Sequence, residues 1–173
     1  MKVDITSVLK NSDERIDFDY PADFSELELA DGERPAPQTL AVRGSVFSRH
    51  GAVTLEFCIT GALTLRCDRC ASEYELPVSC PFSAMVSADP EQEESEKLVV
   101  AQGNVLDIDE LAQMALLLWM PTKQLCREDC RGLCPICGAN LNEGECGCDR
   151  RRVDPRLEGL KNFWNKENPG GVT

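Results

Sequence analysis

The chain has 173 residues, is 42% hydrophobic, and carries 18 Lys and Arg against 30 Asp and Glu for a formal net charge of -12. That apolar content excludes an intrinsically disordered chain, and the length suits one well-buried core with a small appendage. The charge excludes a general attraction to nucleic-acid phosphates, which needs Lys and Arg gathered on one face, and it favours a basic protein as partner.

The start, Met1-Lys2-Val3-Asp4-Ile5, opens no long apolar run. The longest apolar stretch, Met114 to Met120, is far short of the roughly 20 residues that cross a bilayer. A cytoplasmic protein is expected. Ile16, Phe18 and Tyr20 alternate with Arg15, Asp17 and Asp19, a period of two that predicts a strand. Residues 21–38, with Pro21, Pro35 and Pro37 and several acids, predict a loop. Strand character returns at Leu40-Ala41-Val42. Arg49-His50-Gly51 predicts a turn into Val53, Leu55, Phe57 and Ile59, with a break at Gly61 before Leu63 and Leu65. After a Cys67–Cys70 corner, Tyr74, Leu76, Val78, Cys80 and Phe82 share one face. Residues 87–98 are acidic and aperiodic and predict an exposed loop; a functional acidic patch is the sharper alternative.

A helix is predicted over Ile108 to Met120, capped by Asp107 with Glu110 three residues on, and stopped by Pro121. It is apolar on nearly all sides, so the sheet or a partner must cover it. A second helix is predicted from Asp154-Pro155, with Leu157, Leu160, Phe163 and Trp164 on one face, followed by a frayed tail at Asn168-Pro169-Gly170-Gly171. The expected class is α+β: an antiparallel β-sheet or small partly open barrel packed by one apolar helix, with a C-terminal cysteine zinc module and a short terminal helix. Residues 1–38 form an N-terminal strand and Pro-rich acidic loop, 39–121 the core with helix 108–120, 122–150 the zinc-binding module, and 151–173 the terminal helix and tail.

Ten cysteines without an export signal argue for metal or redox chemistry rather than structural disulfides. Eight come as close pairs: Cys67 with Cys70, Cys126 with Cys130, Cys134 with Cys137, and Cys146 with Cys148. Zinc prefers four tetrahedral ligands, and a short pair lets one tight turn deliver two of them. Leu133-Cys134-Pro135-Ile136-Cys137-Gly138 reads as a zinc knuckle, whose glycine permits the positive φ that turns backbone N–H groups toward sulfur. An eight-residue loop holding Asn140, Asn142 and Gly144 then leads to Cys146 and Cys148. Cys134, Cys137, Cys146 and Cys148 therefore form one structural zinc site. Cys67, Cys70, Cys126 and Cys130 form a second, which would staple the β corner to the segment leaving the helix. In a competing scheme Cys126, Cys130, Cys134 and Cys137 share one metal. A redox reading of Cys67-Asp68-Arg69-Cys70 is opposed by its place between two strands, since thioredoxin-type pairs gain reactivity from a helix N-terminus. Cys58 and Cys80 read as strand thiols.

Catalysis lacks residues. His50 is the single histidine and sits in a turn. Phosphate-binding, dinucleotide-binding, nucleophile-elbow and zinc-protease motifs are absent from the sequence. A set of four thiolates also closes a zinc site to water. No catalytic and no small-molecule cofactor-binding residue is assigned, and the chain reads as a non-enzyme. Arg127, Arg131, Arg150, Arg151, Arg152 and Arg156 gather around the cysteine module and form the one candidate patch for RNA.

Four blocks together resemble the YceD family, the bacterial and plastid family linked to accumulation of large-subunit ribosomal RNA. They are Leu65-Arg66-Cys67-Asp68-Arg69-Cys70, Leu106-Asp107-Ile108-Asp109-Glu110-Leu111 through Met120-Pro121, Leu125-Cys126 to Cys148, and Asp154-Pro155-Arg156-Leu157. The resemblance covers roughly residues 40–165. It implies a non-enzymatic role in making or maturing the large ribosomal subunit, on an rRNA precursor or a basic ribosomal protein. Some members lack the cysteines, which implies that zinc supports the fold. The rival reading is a zinc-ribbon adaptor in transcription or another nucleic-acid machine; a thiol redox or metal-buffering protein is a third.

Overall fold

A computed structural model describes residues 1–11, 13–24, 27–28, 32, 39–89 and 98–149. Two compact units emerge: residues 1–68 with 72–128, and residues 69–71 with the described residues from 129 onward.

Among the described residues the first unit holds all the helices and strands. In chain order they are β1 (Lys2–Asp4), α1 (Thr6–Lys10), β2 (Arg15–Asp23), β3 (Thr39–Arg49), β4 (Ala52–Arg66), β5 (Glu73–Ser87), β6 (Leu98–Val100), β7 (Val105–Asp107) and α2 (Ile108–Trp119). β2 to β5 form an antiparallel meander, and β6 adds in parallel to β5, giving a five-stranded sheet in the order β2-β3-β4-β5-β6. β1 pairs with β7 as a separate two-stranded ribbon. The sheet is thus mixed, mostly antiparallel, and does not close into a barrel. Closure would require β2 to pair with β6, and among the described residues these two are the sheet's edges.

One face of the sheet is buried, and the register keeps it in phase from strand to strand. Tyr20, Val42, Ile59 and Cys80 make one row across β2 to β5; Ile16, Val46, Leu55 and Ala84 make another. Between them runs Phe18–Gly44–Phe57–Phe82, with the last two rings stacked at 4.7 Å. Gly44 belongs in that row because nothing larger fits. A Cβ there would stand 2.2 Å from the Glu56 carbonyl oxygen and 2.5 Å from Phe57 Cβ.

Gly61 does not break β4. The strand runs through it, with Leu63 and Leu65 still on the buried face. Its φ of 150° suits glycine, and a Cβ would meet Leu40 Cδ2 at 2.6 Å, so the missing side chain makes room for a fully buried leucine. The turn at His50-Gly51 joins β3 to β4 with positive φ at both residues, 53° and 82°, which matches the right-handed twist of a tight hairpin. β2 extends past the expected start of the loop, and Pro21 is tolerated because β2 is an edge. Phe24 and Leu27, in the stretch expected to be loop, are buried; most of the rest of that stretch, most of the acidic stretch 87–98 and the helix expected from Asp154 lie outside the described residues.

α2 starts as its sequence predicts. The Asp107 carboxylate accepts from the backbone N–H groups of Asp109 and Glu110, and Pro121 follows the last turn. Ile108, Ala112, Ala115 and Leu116 are buried, and the Ala115 carbonyl lies 3.6 Å from Cys80 Sγ on β5. Tyr20 on β2 donates to Asp109 at 2.7 Å. Burial raises the Tyr20 pKa, helped by the nearby Asp107 charge. α1 brings Val8 into the same core.

Replacing Gly44 with Ala should cost about 1–3 kcal/mol of stability, the range for overpacking a filled site. Gly144, where a Cβ meets nothing within 4 Å, is the control and should change little. Urea unfolding of the two variants reads the difference.

Candidate metal centres

The second unit is built on turns. The Cys134–Cys137 pair lies in one of them. Cys134 N–H donates to the Ala139 carbonyl at 2.8 Å, and Gly138 N–H returns to the Cys134 carbonyl at 2.9 Å. Gly138 closes the turn with φ 73°, a conformation that costs glycine nothing. Leu133 and Asn140 then pair as an isolated bridge. Leu141 N–H reaches the Gly132 carbonyl at 2.9 Å, and its side chain is buried. Gly147, between Cys146 and Cys148, takes φ 71°, which reverses the chain within a three-residue pair.

These turns bring Cys134, Cys137, Cys146 and Cys148 together, their Sγ atoms all within 4.8 Å of one another. Backbone N–H groups of Cys137 and then Ile136 point at the Cys134 sulfur and pull its pKa down to about 6. Cys148 goes the other way, to about 12, because Cys137 and Cys146 hold its proton by hydrogen bonds. One sulfur is thus prepared as a thiolate while another keeps its proton until a cation compensates the accumulated charge. A divalent metal would supply that compensation.

Cys67, Cys70, Cys126 and Cys130 form a second group with the same closeness, within 4.8 Å, and with three of the four sulfurs' residues buried. The grouping follows the pairing of Cys67 and Cys70 with Cys126 and Cys130, not the scheme that joins Cys126 and Cys130 to Cys134 and Cys137. Near Cys67 the backbone is tightly bonded. Asp68 N–H donates to the Gln124 carbonyl at 2.8 Å, Gln124 N–H donates to the Asp68 carboxylate at 2.7 Å, and Cys67 N–H donates to Ser72 O at 2.9 Å. Tyr74 and Pro121 hold the Gln124 side chain. Near Cys130, Arg69 donates to the Cys130 carbonyl at 2.9 Å, while its own carbonyl accepts from Leu133 N–H at 2.9 Å. Gly132 has no room for a Cβ, which would sit 2.9 Å from that same Arg69 oxygen.

Asn142 is the site residue that sequence reading missed in this role. Its amide lies 3.4 Å from Cys130 Sγ, and its side-chain oxygen accepts from Arg131 N–H at 2.9 Å. The sequence offered only a loop asparagine; its direction becomes visible when Asn140 bends the loop by accepting from Asn142 N–H at 3.1 Å. Arg131 pairs with Glu145 and Arg127 is also engaged, while Arg150, Arg151, Arg152 and Arg156 lie outside the described residues. His50 is exposed at its hairpin tip. Cys58 and Cys80 stay in their strands and join neither group; burial pushes the Cys80 thiol up. Among the described residues, these two sets of four cysteines are the groups that can hold a metal ion, and no helix is long and apolar enough to cross a membrane.

Two outcomes test this geometry. Asn142→Ala removes a donor to a ligand sulfur and should weaken metal binding at that site by about 10- to 100-fold, read by competition with a chromophoric chelator. Affinity of the Cys134 site should fall as pH is lowered, because Cys148 must release a proton at any pH below about 12. The fall should steepen below about pH 6, where Cys134 is protonated too. A pH series of cobalt(II) titrations measures it.

Residues 55–164 match the family model described as large ribosomal RNA subunit accumulation protein YceD. The chain is 26% identical over 172 residues to the chloroplastic large ribosomal RNA subunit accumulation protein YCED homolog 1 of Zea mays, covering 78% of this chain and 59% of that one. It is 31% identical over 106 residues to uncharacterized proteins of Mycobacterium bovis and Mycobacterium tuberculosis, covering 59% of this chain and 51% of each of them. The chain therefore spans between half and three fifths of the length of these relatives. No solved structure matches. The matched region takes in most of β4, all of β5 and α2 and all eight clustered cysteines, and with that share of its length inside the family model the chain belongs to the YceD family.

Proposed function

We propose that this protein is a non-enzymatic factor in large ribosomal subunit biogenesis, supporting accumulation or processing of large-subunit rRNA, with zinc as a structural staple in both cysteine groups. The family match over residues 55–164 carries the reading, and the printed name of the maize relative agrees with it.

Zinc is favoured by donor chemistry. Four thiolates at a Zn–S distance of about 2.3 Å place their sulfurs about 3.8 Å apart, inside the 4.8 Å within which each group already lies. Four protein ligands also fill zinc's usual coordination number and leave no position for a reacting water, which supports a structural metal and a non-enzymatic protein. The target is an rRNA precursor or a basic ribosomal protein. Residues 1–122 carry 9 Lys and Arg against 22 Asp and Glu, whereas residues 123–173 carry 9 against 8. Any contact with rRNA is therefore least opposed in the C-terminal part, whose Lys and Arg nearly balance its carboxylates, although a zinc ion held by four thiolates adds about two negative charges there.

Deleting the gene should lower large-subunit rRNA relative to small-subunit rRNA, and the tagged protein should co-sediment with large-subunit precursors. Normal rRNA with purification of only transcription components would replace this reading with the zinc-ribbon adaptor. Cys134→Ser and Cys67→Ser should each remove one equivalent of zinc, measured by elemental analysis. Loss of no metal from Cys67→Ser would leave only the Cys134 site.

A further inference from the structure

α2 carries two apolar stripes, and the core uses one of them. Ile108, Ala112, Ala115 and Leu116 are buried. Leu111, partly buried against the core, with Met114 and Leu118 at helical spacing along the neighbouring face, walls an open groove of about 990 Å³. The opposite wall comes from the end of the sheet, with Phe82 of β5 and Val99 of β6. Leu118 is 71% exposed, and Met114 and Leu117 are each more than 40% exposed. A large apolar side chain left that open beside an apolar trough marks an interaction surface rather than an ordinary surface residue.

Charge selects the occupant. Among the described residues the groove is lined at the start of α2 by Asp107 and Glu110 and by one cation, Lys2, whose ammonium already lies 4.0 Å from Asp107. The groove also belongs wholly to the part of the chain that carries a formal -13, the 9 bases and 22 acids of residues 1–122. A second copy would bring the same charge against itself, and a nucleic acid would bring phosphates; both are repelled. A cationic partner with apolar side chains is matched on both counts.

We propose that the groove between α2 and the β5–β6 end of the sheet docks a basic amphipathic helix of another protein, with its apolar side chains against Leu111, Met114 and Leu118 and its Lys or Arg against Asp107 and Glu110. Such a partner reads the groove as i, i+3, i+4 and i+7 anchors do in other helix-in-groove pairs. The local charge sets the direction of attraction and makes binding salt-sensitive. The inference stands on this groove alone and needs neither the metal sites nor the ribosomal reading, so either can fail without the other.

The test uses the full-length, metal-loaded chain and two fluorescein-labelled helical peptides of about 14 residues, about 21 Å long. One is built from Leu and Lys with an apolar stripe; the other has Glu in place of every Lys. The Leu/Lys peptide should bind, by fluorescence anisotropy, and the Leu/Glu peptide should not. Leu118→Asn and Met114→Asn alter exposed positions, should keep the wild-type circular dichroism and melting curve, and should each weaken Leu/Lys binding at least tenfold. Glu110→Gln should weaken it severalfold at low salt and make little difference at 0.5 M salt. Equal binding of both peptides, no binding of the Leu/Lys peptide, or binding indifferent to Leu118→Asn and Met114→Asn would each overturn the proposal. A homodimer in sedimentation velocity that Leu118→Asn dissociates would assign the groove to a second copy. Binding of oligouridylate lost in the same variant would assign it to RNA.

Discussion

The single buried face of the sheet is the constraint from which the first unit follows. Because side chains alternate across a strand, four antiparallel strands keep one apolar face only if every register agrees in phase, and all of β2 to β5 do. That face then has to be covered. Each large apolar side chain left in water there would forgo about 1.5–3 kcal/mol. α1 supplies Val8 and α2 supplies Ile108 and Leu116, while Phe24 and Leu27 bring in the chain after β2. The aromatic row through Gly44 shows how little slack remains: a glycine is retained where two neighbouring strands present phenyl rings on either side.

The second unit rests on a different kind of stabilisation. Among its described residues the buried apolar ones are Cys70, Cys130, Cys134 and Leu141, far too little for a hydrophobic core. What it has instead is a dense set of short backbone hydrogen bonds and turns, with positive φ at Gly132, Gly138 and Gly147. Those turns aim sulfurs at common points. The opposed pKa directions of Cys134 and Cys148 are what a divalent cation among these sulfurs would level, and a metal held there would couple its binding to the folding of this unit.

Much of this was legible in the residues, and the misses have physical causes. Long strands announced themselves, since Val53 to Ile59 or Tyr74 to Phe82 repeat a period of two often enough to be read. Three-residue strands such as β1, β6 and β7 hold barely one period, and their pairing is decided by distant chain. α1, at five residues, is too short to show a face. Gly61 was read as a break because glycine is locally a breaker; its place opposite Leu40 is a tertiary fact. Asp107 and Pro121 marked α2 because capping is local chemistry. Close cysteine pairs were legible because each is a local turn, whereas the Asn142 contact with Cys130 depends on how the whole loop folds.

The ribbon of β1 and β7 has a consequence for the order of folding. The meander joins β3 to β4 through a two-residue turn at His50-Gly51 and β4 to β5 through a short corner, and its longest closure, β2 to β3, spans only residues 24–38. β1 must wait for Lys2 to find Asp107, across about 100 residues whose closure entropy is unrecovered until the rest has collapsed. The ribbon is therefore expected to form late and open early. Because Asp107 is also the cap of α2, the same opening would loosen the helix start before it disturbs the sheet, so amide exchange with water is expected early at this corner.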